Sequence, residues 1–242
     1  MKQKNSLLLA GFFTVLGLGI LLKLGFWQLD RLAWKTELLA KIDANMSAVS
    51  LTLPENIGAV QLPETMDYRN WEYRQVCITG EFLHNQELFL FSTNLAGSGG
   101  YHVYTPFMRE NATTVFINRG WVPNEKVNSA SRRESQLPGI QQVCGIFRGE
   151  GQTGAFTPEN DVIANVWYYR NSRQMAEAAG LETPFPVFID ADSTPNPGGF
   201  PVGGQTKVDL PNNHLGYAIT WFGLAITLLG VFTVFALKAP KN

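Results

Sequence analysis

Residues 216–237 read GYAITWFGLAITLLGVFTVFAL and carry no charged side chain. A helix needs roughly 20 predominantly apolar residues to cross the hydrocarbon core of a bilayer, so this stretch predicts a transmembrane helix. A second uncharged stretch, LLLAGFFTVLGLGILL at 7–22, lies near the other end of the chain. It crosses a bilayer if the Lys23 ammonium reaches the membrane surface and the apolar residues that follow complete the span. The sequence therefore predicts a transmembrane helix at each end, at residues 6–27 and 214–237.

The charges that flank the two stretches predict their orientation. Lys2, Lys4, Lys238 and Lys241 flank them with no acidic residue nearby, whereas residues 30–209 hold 14 basic and all 20 acidic residues. Basic flanks stay in the cytoplasm. No small-x-small cleavage site follows the first stretch, and no Arg- and Ser-rich transit peptide precedes it. We expect an uncleaved anchor in a bacterial cell inner membrane, with both termini cytoplasmic and the large loop periplasmic.

Residues 28–213, between the two spans, are predicted to form one extramembrane domain. A helix continues through QLDRLAWKTELLAKI at 28–42, which contains no Gly or Pro. One short helix, SRQMAEAA at 172–179, can be capped by Asn171 and ended by Gly180. Strand-like stretches rich in β-branched and aromatic residues fill most of the remainder, at 76–82, 87–91, 101–107, 114–122, 140–148, 165–169 and 186–190. The predicted fold class is α+β, mainly antiparallel, as a curled sheet or small barrel.

The two cysteines, Cys77 and Cys144, lie 67 residues apart, each within an apolar, strand-like run. An oxidising compartment would permit a disulfide between them. Their apolar surroundings favour the other interpretation, in which both are buried small apolar side chains. We expect both to be dispensable for function.

Recognisable catalytic and nucleic-acid-binding features are missing from the sequence. The glycines at 97–100 lack the spacing of a serine-hydrolase motif, and those at 199–207 lack the order of a phosphate-binding loop. His84, His102 and His214 are too widely spread to form a metal-ligand motif. The acidic excess of the middle region argues against nucleic-acid binding. The sequence therefore favours a protein that is not an enzyme.

His214 stands at the outer mouth of the second span. Helical geometry places His214, Tyr217, Ala218, Trp221 and Ala225 on one face. A flat macrocycle could lie there with its iron held by the imidazole. The alternative is an interfacial histidine that bonds headgroups or water, beside aromatic residues of the usual membrane belt.

Small residues mark possible helix contacts in both spans. Gly216, Gly223 and Gly230 recur every seven residues on the opposite face of the second span, where another helix could approach closely. Gly11 and Gly25 share a stripe of the first span and are the candidate partner.

A polar face follows the first span. Gln28, Arg31 and Lys35 share this face, with Trp27 and Trp34 on a neighbouring stripe. Bases and tryptophans at such a position can serve simply to meet lipid phosphates and the membrane interface.

Four segments together resemble the Surfeit locus protein 1 family. They are GFWQLDRLAWK at 25–35, NRGWVP at 118–123, FPVFID at 185–190 and PVGGQTKVDLPNNHLGYAITWF at 201–222. Each segment is short, but their order and the layout with two spans are specific. The resemblance covers the chain from the first span to the second.

This resemblance implies an assembly factor for haem–copper terminal oxidases, the cytochrome c oxidases. Bacterial members of the family are linked to handling haem a and placing it in the catalytic subunit, and the family's haem-linked histidine matches His214. On this basis His214 would be an axial ligand of the haem iron, while Tyr217 and Trp221 would pack against the macrocycle. Arg31 or Lys35 would pair with the haem propionates.

The resemblance also implies the partners of the protein. They are the nascent cytochrome c oxidase subunit and membrane lipid, and the machinery of haem a synthesis is a further candidate. A cofactor-free structural chaperone, which grips the oxidase subunit, is the alternative. A membrane-tethered periplasmic enzyme is a third interpretation, against which the absence of a catalytic constellation stands.

Overall fold

A computed structural model describes the chain at residues 2–48, 50–52, 71–110, 113–181, 184–206 and 212–238. The chain divides into two compact units. One unit holds the two ends, up to Lys41 and from Asp209 onward, and the other holds residues 42–208. The first is helical, and the second is built around a β-sheet.

Three α-helices and eight strands occur in the described residues. The helices are α1 (Lys2–Ser47), α2 (Ser172–Ala178) and α3 (His214–Lys238). The strands are β1 (Leu51–Thr52), β2 (Gln75–Phe82), β3 (Leu88–Thr93), β4 (Gly99–Arg109), β5 (Thr114–Val122), β6 (Ile140–Arg148), β7 (Val166–Trp167) and β8 (Pro184–Ala191). All seven predicted strands are present, and only the short β1 was not predicted.

The two terminal helices are long and apolar enough, by length and composition, to cross a membrane. The 25 residues of α3 rise about 37 Å, which exceeds the hydrocarbon core of a bilayer, about 30 Å thick. Helix α1 runs without a break through residues 28–42, as its lack of Gly and Pro predicts. The predicted pair of candidate membrane-spanning helices, flanking a β-rich domain, is confirmed.

Within the helical unit, glycines of α1 lie against aromatic side chains of α3. A β-carbon on Gly25 would come 2.7 Å from the ring of Phe222, and one on Gly11 would come 3.5 Å from the ring of Phe232. The contacts run in opposite order along the two helices, which are therefore antiparallel. Gly11 and Gly25 thus lie on the contact face of α1, as their shared stripe predicts.

The glycines of α3 do not take part in this contact, contrary to their predicted role. A β-carbon on Gly216, Gly223 or Gly230 would meet no described atom within 4 Å. Ala218 and Ala225 are the buried residues of α3 instead, at 2 % and 4 % exposure. Small side chains on one helix and large aromatic rings on the other fit together, so a second set of glycines is not needed for close approach.

Five strands close into a barrel in the order β2–β6–β8–β5–β4, and β4 pairs again with β2. The β5–β8 pair is parallel, while the other four pairs of the barrel are antiparallel. The remaining strands extend the sheet outside the barrel, with β3 and β7 beyond β4 and β1 beside β2. The fold is therefore α+β and mainly antiparallel, with a closed barrel that also contains a parallel pair.

Successive side chains of β5 point to opposite faces of the strand and contribute to two hydrophobic clusters. Val115 and Ile117 belong to the cluster that fills the barrel, whereas Phe116 belongs to a second cluster on the other side of the strand. That second cluster includes Met175 of α2 and the fully buried Trp167 of β7. Because both faces of β5 are covered, all nine of its residues are buried.

Helix α2 has the predicted ends. The side chain of Asn171 accepts a hydrogen bond from the Gln174 backbone N–H at 3.0 Å, which satisfies one free donor of the first turn. Gly180 follows the helix with a φ of +67°, a conformation that glycine adopts at little cost.

A disulfide joins Cys77 and Cys144, so the interpretation of both as unbridged buried side chains was wrong. The two residues are directly opposite each other on β2 and β6, with α-carbons 4.1 Å apart. Val76 and Ile78, on either side of Cys77, point into the barrel, which directs Cys77 to the outer face.

Candidate functional site

His214, the first residue of α3, is hydrogen-bonded to α1. Its Nδ1 lies 2.6 Å from Oε1 of Gln28, a side chain that is only 8 % exposed. An amide oxygen can only accept a hydrogen bond, so Nδ1 carries the proton and donates it. In the neutral imidazole, the other ring nitrogen, Nε2, therefore keeps its lone pair.

This arrangement fits the chemistry of a metal-ligating imidazole. Histidine ligands commonly donate their second N–H to an oxygen acceptor, which fixes both the tautomer and the orientation of the ring. Gln28 supplies that acceptor for His214, at the point where the helix begins. Nε2 of His214 is thus chemically suitable as a ligand of haem iron.

The other residues of the predicted His214 face differ in exposure: some are buried by packing and others remain at the surface. Ala218 and Ala225 are buried, so they do not offer an open platform for a flat macrocycle. Tyr217 is 57 % exposed and Trp221 is partly buried. The two aromatic side chains are therefore the members of this face that remain accessible near His214.

Arg31 and Lys35 lie on α1, one and two turns beyond Gln28. The guanidinium of Arg31 is 5.9 Å from the ring centre of Trp27 and 5.3 Å from that of Trp34, so the two stripes predicted from the sequence meet at this residue. Arg31 is exposed and Lys35 partly buried, and no acidic residue of the described chain forms an ion pair with either. Both positive charges are available to an anionic group.

The sequence motif at 118–123 joins distant parts of the domain. Nδ2 of Asn118 donates to Oδ1 of Asp190 at 2.8 Å, and Oδ1 of Asn118 accepts from the Gly120 backbone N–H. Thr206 donates to the other carboxylate oxygen of Asp190 at 3.0 Å. Three of the segments that carry the family resemblance therefore meet at one buried carboxylate.

Asp190 also pairs with Arg148, which bonds Glu72 at 2.8 Å. Burial lowers the pKa of Arg148, but the two carboxylates outweigh that effect and raise it above its usual value. Asp190 and Glu72 do not belong to a metal site, because no group of three or more His, Cys, Asp or Glu in the described residues could hold a metal ion. This cluster links β6 and β8 to the turn before β2.

A second buried charge cluster was not visible in the sequence. Arg132 donates to both carboxylate oxygens of Glu87, and Nη1 of Arg119 donates to one of them at 3.2 Å. Burial, which Glu87 offsets only in part, lowers the pKa of Arg119 to about 10. The side chains come from β5, from the loop before β3 and from a turn after β5, so only the folded chain brings them together.

The two remaining histidines are held within the domain. Nε2 of His84 lies 3.1 Å from the carbonyl of Leu137, and burial lowers the pKa of this imidazole. Nδ1 of His102 lies 3.1 Å from Oδ1 of Asn118. Neither belongs to the helical unit that holds His214.

Comparison with known proteins shows a whole-chain likeness. The model of the SURF1 family matches residues 15–226. Surfeit locus protein 1 of Mus musculus is 36 % identical over 233 residues, which cover 90 % of this chain and 72 % of that protein. The Homo sapiens protein is 34 % identical over 218 residues, which cover 84 % of this chain and 69 % of that protein. A SURF1-like protein of Monosiga brevicollis is 38 % identical over 220 residues, which cover 85 % of this chain and 79 % of that protein.

Proposed function

The chain belongs to the SURF1 family, and from this membership we propose that it is an assembly factor for haem–copper terminal oxidases, the cytochrome c oxidases. In this proposal it binds haem a transiently and assists its insertion into the catalytic subunit, without itself catalysing a reaction. Its partners are the nascent oxidase subunit, membrane lipid and the machinery that makes haem a. The observation that carries the haem proposal is the hydrogen bond between Gln28 and His214.

His214 would hold the haem iron through Nε2, because its Nδ1–H donates a hydrogen bond to Oε1 of Gln28. A single protein ligand would suit a cargo that must leave again, because only one side chain, that of His214, would hold the iron. When bound, haem a supplies the redox and oxygen chemistry that the oxidase uses after delivery. The chain itself has only to bind and orient the macrocycle.

Four further side chains would complete the haem site. Tyr217 and Trp221 follow His214 by one and two turns of α3 and would pack against the ring. Arg31 and Lys35, one and two turns beyond Gln28 on α1, would pair with the propionates. Charge-assisted pairs of this kind are stronger than neutral hydrogen bonds, so they would orient the macrocycle at the membrane surface.

We propose that the protein lies in a bacterial inner membrane and spans it twice. Both termini would be cytoplasmic and residues 28–213 periplasmic, with the spans at 6–27 and 214–237. The antiparallel contact of α1 with α3 supports this, because it is compatible with both termini on one side. The lysines at the two ends support the cytoplasmic side.

The experiment is the absorption spectrum and haem content of the full chain, purified in detergent from a haem-a-producing bacterium. The wild type should carry haem a, and His214→Ala should lose most of it at unchanged protein level and membrane insertion. His84→Ala and His102→Ala are matched controls that should keep a nearly normal haem content. Full haem retention by His214→Ala would refute the ligand assignment. A wild type without haem that still supports oxidase maturation would favour the cofactor-free chaperone.

A further inference from the structure

The wall of the barrel has a gap beside β6. Strand β8 pairs with β6 only along residues 145–148, and it ends at Ala191. Residues 140–144 of β6 continue to pair with β2 on one side. On the other side, none of the strands in the described residues pairs with them.

The backbone of Gln142 points into this gap. The Asp192 N–H donates to the carbonyl of Cys144 at 3.0 Å, so the Cys144 carbonyl points away from β2. In an antiparallel pair, alternate residues direct their N–H and C=O groups to the same neighbour. Gln142, two residues before Cys144, therefore also directs its N–H and C=O away from β2. An unpaired strand edge of this kind is a template for another strand.

A cavity of about 330 Å³ lies along this edge. Residues 141–144 of β6 line it together with Asp192 and residues 194–197. Phe82 and Leu137 add apolar surface to this lining. We name this cavity the β6 cleft. Its volume is at the lower end of the range for ligand sites, and its combination of apolar side chains with free backbone groups suits a short extended chain.

Arg119 gives the β6 cleft a buried positive charge. Its side chain lines the cleft although the residue is only 3 % exposed. Glu87 is shared between Arg119 and Arg132, so one carboxylate faces two guanidinium groups. Nη2 of Arg119 donates only to neutral oxygens, those of Ser135 and Asn196, the latter at 3.4 Å.

The bonding of Arg119 is also incomplete. Its Nε is buried and has no hydrogen-bond partner in the described structure. Asp192 is the acidic residue of the cleft wall, but it is exposed and its side chain accepts from the Thr194 N–H. A carboxylate that entered beside Arg119 would balance the excess of buried positive charge.

We propose that the β6 cleft binds an extended peptide segment of a partner protein as an added strand. The segment would pair with the N–H and C=O of Gln142 and place a carboxylate against Arg119. Main-chain pairing with a sheet edge provides affinity in such complexes, and the side-chain contacts provide specificity. The proposal concerns the β-domain alone and does not depend on haem binding.

The first test changes the peptide and leaves the protein intact. Fluorescein-labelled hexapeptide libraries, amidated at the C-terminus and carrying a fixed Asp or Asn at the last position, are titrated with the full chain in detergent by fluorescence anisotropy. The Asp library should bind at least about tenfold more tightly, because a charge-assisted bond to Arg119 is lost with Asn. A library with a free C-terminus and fixed Asn distinguishes a terminal carboxylate from a side-chain carboxylate as the group recognised.

The second test changes the edge of β6. Gln142→Pro removes the N–H that faces the cleft but no hydrogen bond of the β2–β6 ladder, and proline is tolerated at such edge positions. It should weaken peptide binding by roughly tenfold, whereas Gln142→Ala, which keeps the backbone donor, should bind normally. An unchanged melting temperature would show that Gln142→Pro still folds.

Two results would overturn the proposal. One is the absence of binding by every library at millimolar peptide. The other is equal binding by wild type and a folded Gln142→Pro, which would show that any contact does not use the strand edge.

Discussion

Oε1 of Gln28 and Nδ1 of His214 lie 2.6 Å apart, although 186 residues separate them in the chain. Because the amide oxygen can only accept, the contact selects the tautomer of the neutral His214 imidazole in which Nε2 is free. If His214 holds haem iron, Gln28 controls both the basicity and the orientation of the ligand.

Gln28→Leu should therefore reduce haem affinity by roughly tenfold to a hundredfold, the usual effect of losing such a supporting bond. Gln28→Glu keeps an oxygen acceptor and should bind haem much more strongly than the leucine variant. The measurement is haem titration of the purified apoprotein at constant detergent. Equal haem affinity of Gln28→Leu and wild type would show that this hydrogen bond does not contribute to haem binding.

Replacing the disulfide should lower stability without removing function. Cys77→Ser combined with Cys144→Ser should reduce the free energy of unfolding by about 2–4 kcal/mol, because the bond closes a long loop in the unfolded chain. Thermal denaturation with and without dithiothreitol measures this, and the reductant should destabilise only the wild type. Loss of oxidase maturation at normal levels of the double variant would contradict a purely structural role.

The ion pair around Glu87 should be important for folding. Glu87→Gln leaves the guanidinium groups of Arg119 and Arg132 buried without a countercharge, which costs about 3–5 kcal/mol in comparable cases. The matched control is Glu177→Gln, which removes an exposed pair with Arg173 and should change stability by less than about 1 kcal/mol. Chemical denaturation gives both values, and similar effects of the two variants would be evidence against this ranking.

Glycines of the two spans should differ in their tolerance of larger side chains. Gly25→Val should disturb the contact of α1 with α3, because a β-carbon there lies 2.7 Å from the Phe222 ring. Gly223→Val should be tolerated in the isolated chain, since a β-carbon there meets no described atom within 4 Å. Melting temperatures of the two variants in detergent test the difference. A larger loss for Gly223→Val would indicate that its face is covered in solution.

The proposed orientation is open to a direct test. Alkaline phosphatase and green fluorescent protein are fused separately after Leu51 and after Asn242. The phosphatase should be active only at Leu51 and the fluorescent protein bright only at Asn242, because the two fusion points lie on opposite sides in the proposed topology. The same compartment for both would exclude a chain that spans the membrane twice.

Local sequence patterns predicted most of the elements because each pattern depends on neighbouring residues. The capped helix α2 and strands β5 and β6 have the predicted positions, and the uncharged stretches became α1 and α3. The prediction that Cys77 and Cys144 are unbridged was wrong, and the alternation of inward and outward side chains along β2 shows why. Val76 and Ile78 point inward, so Cys77 between them had to point outward, where it meets Cys144.

The sequence by itself determined the two spans, the strands between them and the family, since these follow from composition, period and order along the chain. Only the tertiary structure decided which residues meet: Gln28 with His214, Glu87 with two arginines, and Gly25 with Phe222. It also decided that β8 leaves β6 early and exposes the backbone of Gln142. These contacts join residues far apart in sequence, and they depend on strand register and helix packing, which no local pattern contains.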